Sequence, residues 1–368
     1  MSDLLIFVED PGAANMVADV PRLLTDRGHT VHLATSGVAT AYLGQRGVSV
    51  SPLRPDEDLE RLVTSVAPRV IVVGTAENPD SPGLKLVALA AARQIPSVGV
   101  VDSSTHMAFR FRGRSDHPLE FCPNHLIVPD AASGIGLTAL GLGKERIIVV
   151  GHPHWDHVRS ASRALDRRDR VELRRRHFKL SSDRTAILFA AELSSGIDAS
   201  QFHETAGYTL TGSSGTRGRT EIVIEEFLAA LAPRRAELHL VLRLHPKQAG
   251  GELSDYRDHF DTVSRAEPSL EVVHAADAVV GMTSMLMVEA TLMQRPTLAI
   301  LPRVQEAAWL PTLQAGLTPY ACDRASVRAG ITRLLDAPEL PDPETLEESF
   351  PSGALDRIIA ALEDILKR

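Results

Sequence analysis

Two doubly wound parallel α/β domains are what this sequence predicts, and three observations predict them. At 368 residues the chain exceeds one compact domain and suits two of ordinary size. Short runs of Val, Ile, Leu and Ala, the kind buried on both faces of a parallel sheet, alternate with helical stretches in two successive series. Between the series, residues 159–179 mix many charges with little apolar periodicity, as an exposed connection would. The expected division is a first domain over 1–160, a connecting helix over 161–183, and a second domain over 184–348. A final helix within 349–368 is expected to pack back on the first domain. Doubly wound pairs of this kind face one another across a cleft.

Composition narrows the function. Apolar residues make up 44% of the chain and aromatics only 4%, so large cores must be built from aliphatic side chains. A formal charge of −8 argues against a general nucleic-acid binder, which carries a basic excess. It leaves room for a local basic pocket. Cys122 and Cys322 match no metal spacing and read as two reduced thiols of a cytoplasmic protein. No signal-peptide pattern and no apolar run of membrane-spanning length is expected; peripheral membrane contact is left open.

In chain order, residues 4–8 form a first buried strand, ending in Glu9-Asp10-Pro11-Gly12, with a helix over 16–27. This βαβ start lacks the three-glycine dinucleotide fingerprint. Two carboxylates at a strand's carboxyl end would repel a pyrophosphate, so this loop is read as facing an acceptor. Asp10 is either a general base there or the cap of the following helix. Strands follow at 30–35, 48–52, 69–75 and 97–102, with helices over 56–66 and 82–94 between them. Asp102 and His106 stand at the end of the last, where catalytic groups commonly sit. Arg110, Arg112 and Arg114 alternate beyond it, as a solvated face or a substrate-binding one. Strands at 125–129 and 147–151 lead to His152, His154, Asp156 and His157. These four invite a metal but lack a coherent three-ligand arrangement, and read better as a polar hinge loop.

The second series has a strand at 185–190 and a long Ser/Gly/Thr-rich loop over 194–219, a lid or a disordered segment. A helix over 220–232 and a strand over 237–244 follow, the strand running into His245-Pro246-Lys247. A short strand is expected at 270–273, and helices over 324–336 and 354–367 close the chain. The stretch 276–302 says most about function. It reads as a buried strand (278–280), a small-residue turn (281–284), a helix and a second buried strand. A helix N-terminus at a strand's carboxyl end offers N–H groups and a positive dipole to an anion. Thr283 and Ser284 add hydroxyls, and Glu289 can reach a ribose. An ordinary crossover with Ser284 as N-cap is the plainer reading.

Arg243-Leu244-His245-Pro246-Lys247, then Thr283-Ser284…Glu289-Ala290, then Arg295-Pro296 before a strand, stand in a familiar order. The set resembles glycosyltransferases of the GT-B fold, built of two Rossmann-like domains. The nearest patterns are the UDP-N-acetylglucosamine 2-epimerases and the capsule-polysaccharide and glycerophosphate transferases. Residues 149–153 are similar to that group's hinge strand, and 88–102 to its alanine-rich helix and acidic strand end. The resemblance implies that His245, Thr283 and Ser284 hold donor phosphates and that Glu289 holds the ribose. Arg243 and Lys247 are charge partners for the phosphates. Such groups could replace a metal at the leaving group, so neither metal nor cofactor is expected.

Departures from the epimerases decide the reading. They carry Asp after the glycine where this chain has Gly74-Thr75, His-Arg where it has Ala191-Glu192, and Glu where it has Asp102. The expectation is therefore a metal-independent glycosyltransferase moving a sugar from a nucleotide donor to an acceptor hydroxyl. It would serve surface-polysaccharide, glycoconjugate or natural-product synthesis, with Asp10 or Asp102 as general base and His106 nearby. A sugar-nucleotide 2-epimerase and an inert nucleotide-sugar-binding protein are the alternatives.

Overall fold

The computed structural model describes residues 2–54, 58–75, 77–103, 106–165, 170–181, 183–193, 203–245, 248 and 251–367. They form two compact units, one comprising Met1–Asp156 with Phe350–Arg368, the other His157–Ser349.

The first unit holds β1 (Ser2–Val8), β2 (Val31–Thr35), β3 (Ser51–Pro52), β4 (Pro68–Gly74), β5 (Ser97–Val100), β6 (His125–Val128) and β7 (Ile147–Val149). All pair in parallel, in the order β3-β2-β1-β4-β5-β6-β7. Winding runs outward from β1 in both directions, so the strand order reverses between β1 and β4. β1 is apolar and buried from Leu4 to Val8 because both its faces are covered there. Leu4, Ile6 and Val8 pack with Val70, Val72, Val98 and Val100 and with Ile358, Ile359 and Leu362 of the final helix. Leu5 and Phe7 pack on the other side with Leu86, Val87 and Ala90.

That final helix, Ala354–Leu366, is anchored at both ends. The Asp156 carboxylate accepts from the Gly353 and Ala354 amides at 3.1 and 2.9 Å, and Arg69 donates to Leu366 O at 2.7 Å. Trp155 meets Phe350 edge-on at 4.7 Å.

The second unit holds β8 (Thr185–Ala190), β9 (Leu238–Arg243), β10 (Thr262–Ser264), β11 (Ala278–Gly281), β12 (Thr297–Ile300) and β13 (Tyr320–Ala321). Its parallel order is β10-β9-β8-β11-β12-β13, with the reversal between β8 and β11. Ile187 and Phe189 pack with Leu240, Leu242, Val280 and Ile300 and with Ile222 and Phe227 of the helix Arg219–Leu231.

Several expected elements differ. The strand expected at 270–273 lies inside the helix Ser269–Ala275, and the strand is Thr262–Ser264 instead. Leu270, Val272 and Val273 are as apolar as a strand, and so short a run has no period to separate the two forms. The helix expected over 16–27 is two, Pro11–Val17 and Val20–Asp26, because Pro21 has no N–H to donate one turn back. The strand expected over 48–52 shrinks to Ser51–Pro52. The connection over 161–183 is not one helix: Pro153–Leu165 is followed by Arg170–Leu173, which widens into a π turn at Arg174–Phe178. Residues 194–202 of the expected lid lie outside the described residues. Among the described residues, no helix is long and apolar enough to cross a membrane.

Candidate functional site

In each unit the chemistry gathers where the strand order reverses, the place at which an open parallel sheet leaves a crevice at its carboxyl edge.

In the second unit the turn after β11 carries Thr283 and Ser284. Ser284 caps the helix Met285–Leu292, its hydroxyl accepting the Leu286 amide at 3.3 Å. Thr283 turns the other way and gives both its backbone N–H and its hydroxyl to Glu192, which stands just past β8. Glu192 also receives Arg219 Nη1 at 2.6 Å. Arg219 reaches Thr283 Oγ1 at 3.2 Å and binds Glu306, which in turn takes Arg303 Nε at 2.7 Å. The result is a four-charge cluster of two arginines and two glutamates at the end of the sheet, flanked by the Trp309 ring. Arg219 is only 2% exposed. Burial alone would lower its affinity for its proton, but Glu192 and Glu306 outweigh burial and raise it.

β9 delivers Arg243 and His245 to the same edge. Arg243 is buried, with Nη1 on Ser264 Oγ at 2.7 Å and Nη2 on Glu267 O at 2.9 Å. Its fork is thus spent largely on anchoring the turn after β10. Burial lowers its pKa, opposed by the charges of Glu267 and Glu289. Glu289, half-buried on the helix Met285–Leu292, therefore lies within electrostatic reach of Arg243. Gln248 fixes the His245 turn: its Oε1 accepts the His245 amide at 2.7 Å and its Nε2 donates to Glu192 O at 3.0 Å. Lys247, expected to meet a phosphate, lies outside the described residues.

In the first unit Asp10 caps the helix Pro11–Val17, with Oδ1 accepting the Ala13 amide at 3.0 Å. Asp102 follows β5 and binds Arg110 Nη1 at 2.7 Å. The same Arg110 nitrogen donates to Thr75 O at 3.1 Å, which ties the ends of β4 and β5 together. Gly12 brings the two carboxylates to one place. A Cβ built there would lie 1.7 Å from Asp102 Oδ2 and 3.4 Å from Asp10 Oδ1. His106 has left-handed backbone (φ 56°), with Nδ1 4.0 Å from the Glu77 carboxylate. The three alternating arginines diverge: Arg110 is buried on Asp102, Arg112 covers the Phe109 ring, and exposed Arg114 pairs with Asp80.

The His152–His157 loop has other duties. Asp156 serves the final helix, and His152 is buried against Trp155 with Nδ1 accepting the His154 amide at 3.2 Å. Burial, then the neighbouring His154, lower the His152 pKa to about 3 against the opposing charge of Asp102. Its imidazole is therefore uncharged at neutral pH, within electrostatic reach of Asp102.

No family model and no curated protein sequence matches the chain. Solved structures do. The UDP-GlcNAc 2-epimerase from Methanocaldococcus jannaschii is similar over 98% of this chain and 99% of its own, with TM-score 0.69 at 12% identity. That from Neisseria meningitidis, solved with UDP-GlcNAc bound, covers 100% of both chains with TM-score 0.66 at 13% identity. A glycosyltransferase from Rickettsia africae covers 100% of this chain and 99% of its own, with TM-score 0.60 at 8% identity. This chain has the GT-B fold. The pairing of two parallel-sheet units expected from the sequence is the one found, and the GT-B likeness extends over the whole chain. At such low identity it is the architecture that is shared, and the chemistry must be argued from the residues.

Sequence reasoning singled out Thr283, Ser284, Glu289, Arg243 and His245, and the fold places Arg243 and His245 at the end of β9, Thr283 and Ser284 in the turn after β11, and Glu289 on the helix that follows. It missed Arg219 and Glu306, and met Glu192 only as a departure from the epimerases. Glu192 and Glu306 lie 27 and 87 residues from Arg219, a separation that leaves no local signal.

Proposed function

We propose that this GT-B protein transfers a sugar from a nucleotide donor, of which UDP-sugars are the first to test, to an acceptor hydroxyl without a metal. The donor is held by the second unit, with Glu289 on the ribose and Ser284, His245 and the N-terminus of the helix Met285–Leu292 on the phosphates. Lys247 adds charge there. Asp10 of the first unit is the general base that takes the acceptor proton.

The observation that favours transfer is the 2.7 Å ion pair between Asp102 and Arg110. The guanidinium occupies Asp102 Oδ1 and ties that carboxylate to the ends of β4 and β5 rather than to a substrate proton. Epimerisation takes a proton from carbon and returns one on the other face, which asks more of the acid–base groups than deprotonating a hydroxyl. A 2-epimerase is the second reading. It is favoured by the neighbours, which are mostly epimerases, and by the convergence of Asp10 and Asp102 on Gly12.

Incubation with a panel of nucleotide sugars, with and without acceptors, separates the two. Free nucleotide released only with acceptor means transfer; a sugar inverted at C2 without acceptor means epimerase and sinks the first reading. Turnover is expected to survive EDTA. Loss in EDTA with recovery in Mg²⁺ or Mn²⁺ would overturn the metal-free mechanism.

A further inference from the structure

We propose that Arg219 and Thr283 form a phosphate seat which the Glu192 carboxylate occupies in this structure, so that a diphosphate binds by exchanging with Glu192. The inference deepens the nucleotide-sugar reading, on which it rests for the identity of the anion.

The donors around Glu192 are those a phosphate takes: one backbone N–H, one hydroxyl and one guanidinium. They converge where the strand order reverses, beside the N-terminus of the helix Met285–Leu292. Carboxylate and phosphate oxygens accept such bonds in the same way, so the Glu192 side chain fills the position of an anionic ligand.

Charge explains why something must fill it. Among the described residues of the cluster, the positive charges of Arg219 and Arg303 stand against the negative charges of Glu192 and Glu306. With Glu192 withdrawn, Arg219 loses one of its two carboxylate partners and shares the other, Glu306, with Arg303, in a site where Arg219 and Glu306 have almost no contact with water. An unbalanced buried charge is costly, so the seat is closed either by Glu192 or by an external anion.

The member that can leave is Glu192. Its side chain is 16% exposed, against 3% for Arg219 and 0% for Glu306. Its backbone stays, because Gln248 Nε2 and Thr220 Oγ1 hold its carbonyl at 3.0 and 3.3 Å. The exchange is therefore a rotation of one side chain about a fixed backbone. It also makes an anion a condition of access, since a neutral sugar offers nothing to replace the carboxylate.

Calorimetric titration of wild type and Glu192→Gln with inorganic diphosphate, UDP and uridine tests this. Glutamine keeps the side-chain shape and removes the competing charge. Diphosphate and UDP are expected to bind the variant at least about tenfold more tightly, with uridine unchanged. A folded variant that binds diphosphate no better than wild type overturns the proposal. If diphosphate tightens but UDP gains nothing over it in either protein, the seat stands and the nucleotide reading falls. Should Glu192→Gln not fold, Glu192→Asp carries the same test. It retains the countercharge but is one methylene too short to span Arg219 and Thr283 together, so tighter diphosphate binding is again expected, and unchanged binding overturns the seat.

Discussion

Asp102 lies directly against the Cα of Gly12: a Cβ at residue 12 would sit 1.7 Å from Asp102 Oδ2. The turn that carries Asp10 and the strand end that carries Asp102 are thus packed with only a backbone atom between them. Since Arg110 holds the other Asp102 oxygen at 2.7 Å, a carboxylate displaced from residue 12 has to bend or give up that ion pair.

Gly12→Ala should therefore push Asp102 off Arg110. A loss of about 1–3 kcal/mol in urea unfolding is expected, the range for disturbing a buried ion pair or overpacking, together with lower turnover. A variant with wild-type stability and activity would mean that Asp102 can move aside and that its position is immaterial.

Asp10→Asn separates chemistry from capping. The cap bond to the Ala13 amide exists, and Asn caps nearly as well as Asp, so the melting temperature should stay near wild type. Turnover should fall by about 10²-fold or more as the proton acceptor is lost, with donor affinity unchanged. Full turnover in this variant would pass the base role to Asp102 or His106.

Glu289→Ala should weaken nucleotide binding by about 1–3 kcal/mol, the usual worth of a charge-assisted hydrogen bond, without unfolding the chain. Wild-type affinity by calorimetry would remove Glu289 from the ribose.

His152 ties stability to pH. Its folded pKa, lowered to about 3 chiefly by burial, lies below the ordinary value of 6.5. Between those values the unfolded chain binds the proton and the folded chain does not, so stability is present above pH 6.5 and declines as pH falls toward 3. Melting curves between about pH 7 and 4 should show this loss, and His152→Gln should flatten it. An equally steep loss in the variant would place its origin in other groups.

The parts of the fold legible in the sequence are those written in continuous apolar runs. β1, β4, β8 and β9 are buried on both faces, so strands could be read directly at 4–8, 69–75, 185–190 and 237–244. β10 could not, because an edge strand of Thr-Val-Ser paired only to β9 needs no such run, while the helix Ser269–Ala275 happens to have one. The site divides the same way. Ser284 and Glu289 were visible because turn and helix are local. The cluster around Arg219 draws on the end of β8, the turn after β11, the helix Arg219–Leu231 and the turn Val304–Trp309, and nothing short of the folded sheet brings them together. Arg110 sat in plain view among alternating arginines, but only its reach to Thr75 and Asp102 distinguishes it from Arg112 and Arg114.

The final helix has a consequence for how the chain is made. β1 leaves the ribosome well before Ile358, Ile359 and Leu362, which cover one of its faces and follow only after the entire second unit. The second unit is contiguous in sequence and can close while the first still lacks part of its core. During synthesis, then, one face of Leu4, Ile6 and Val8 waits as uncovered apolar surface while the second unit is made. Of the two units, the one begun earlier is the one completed later.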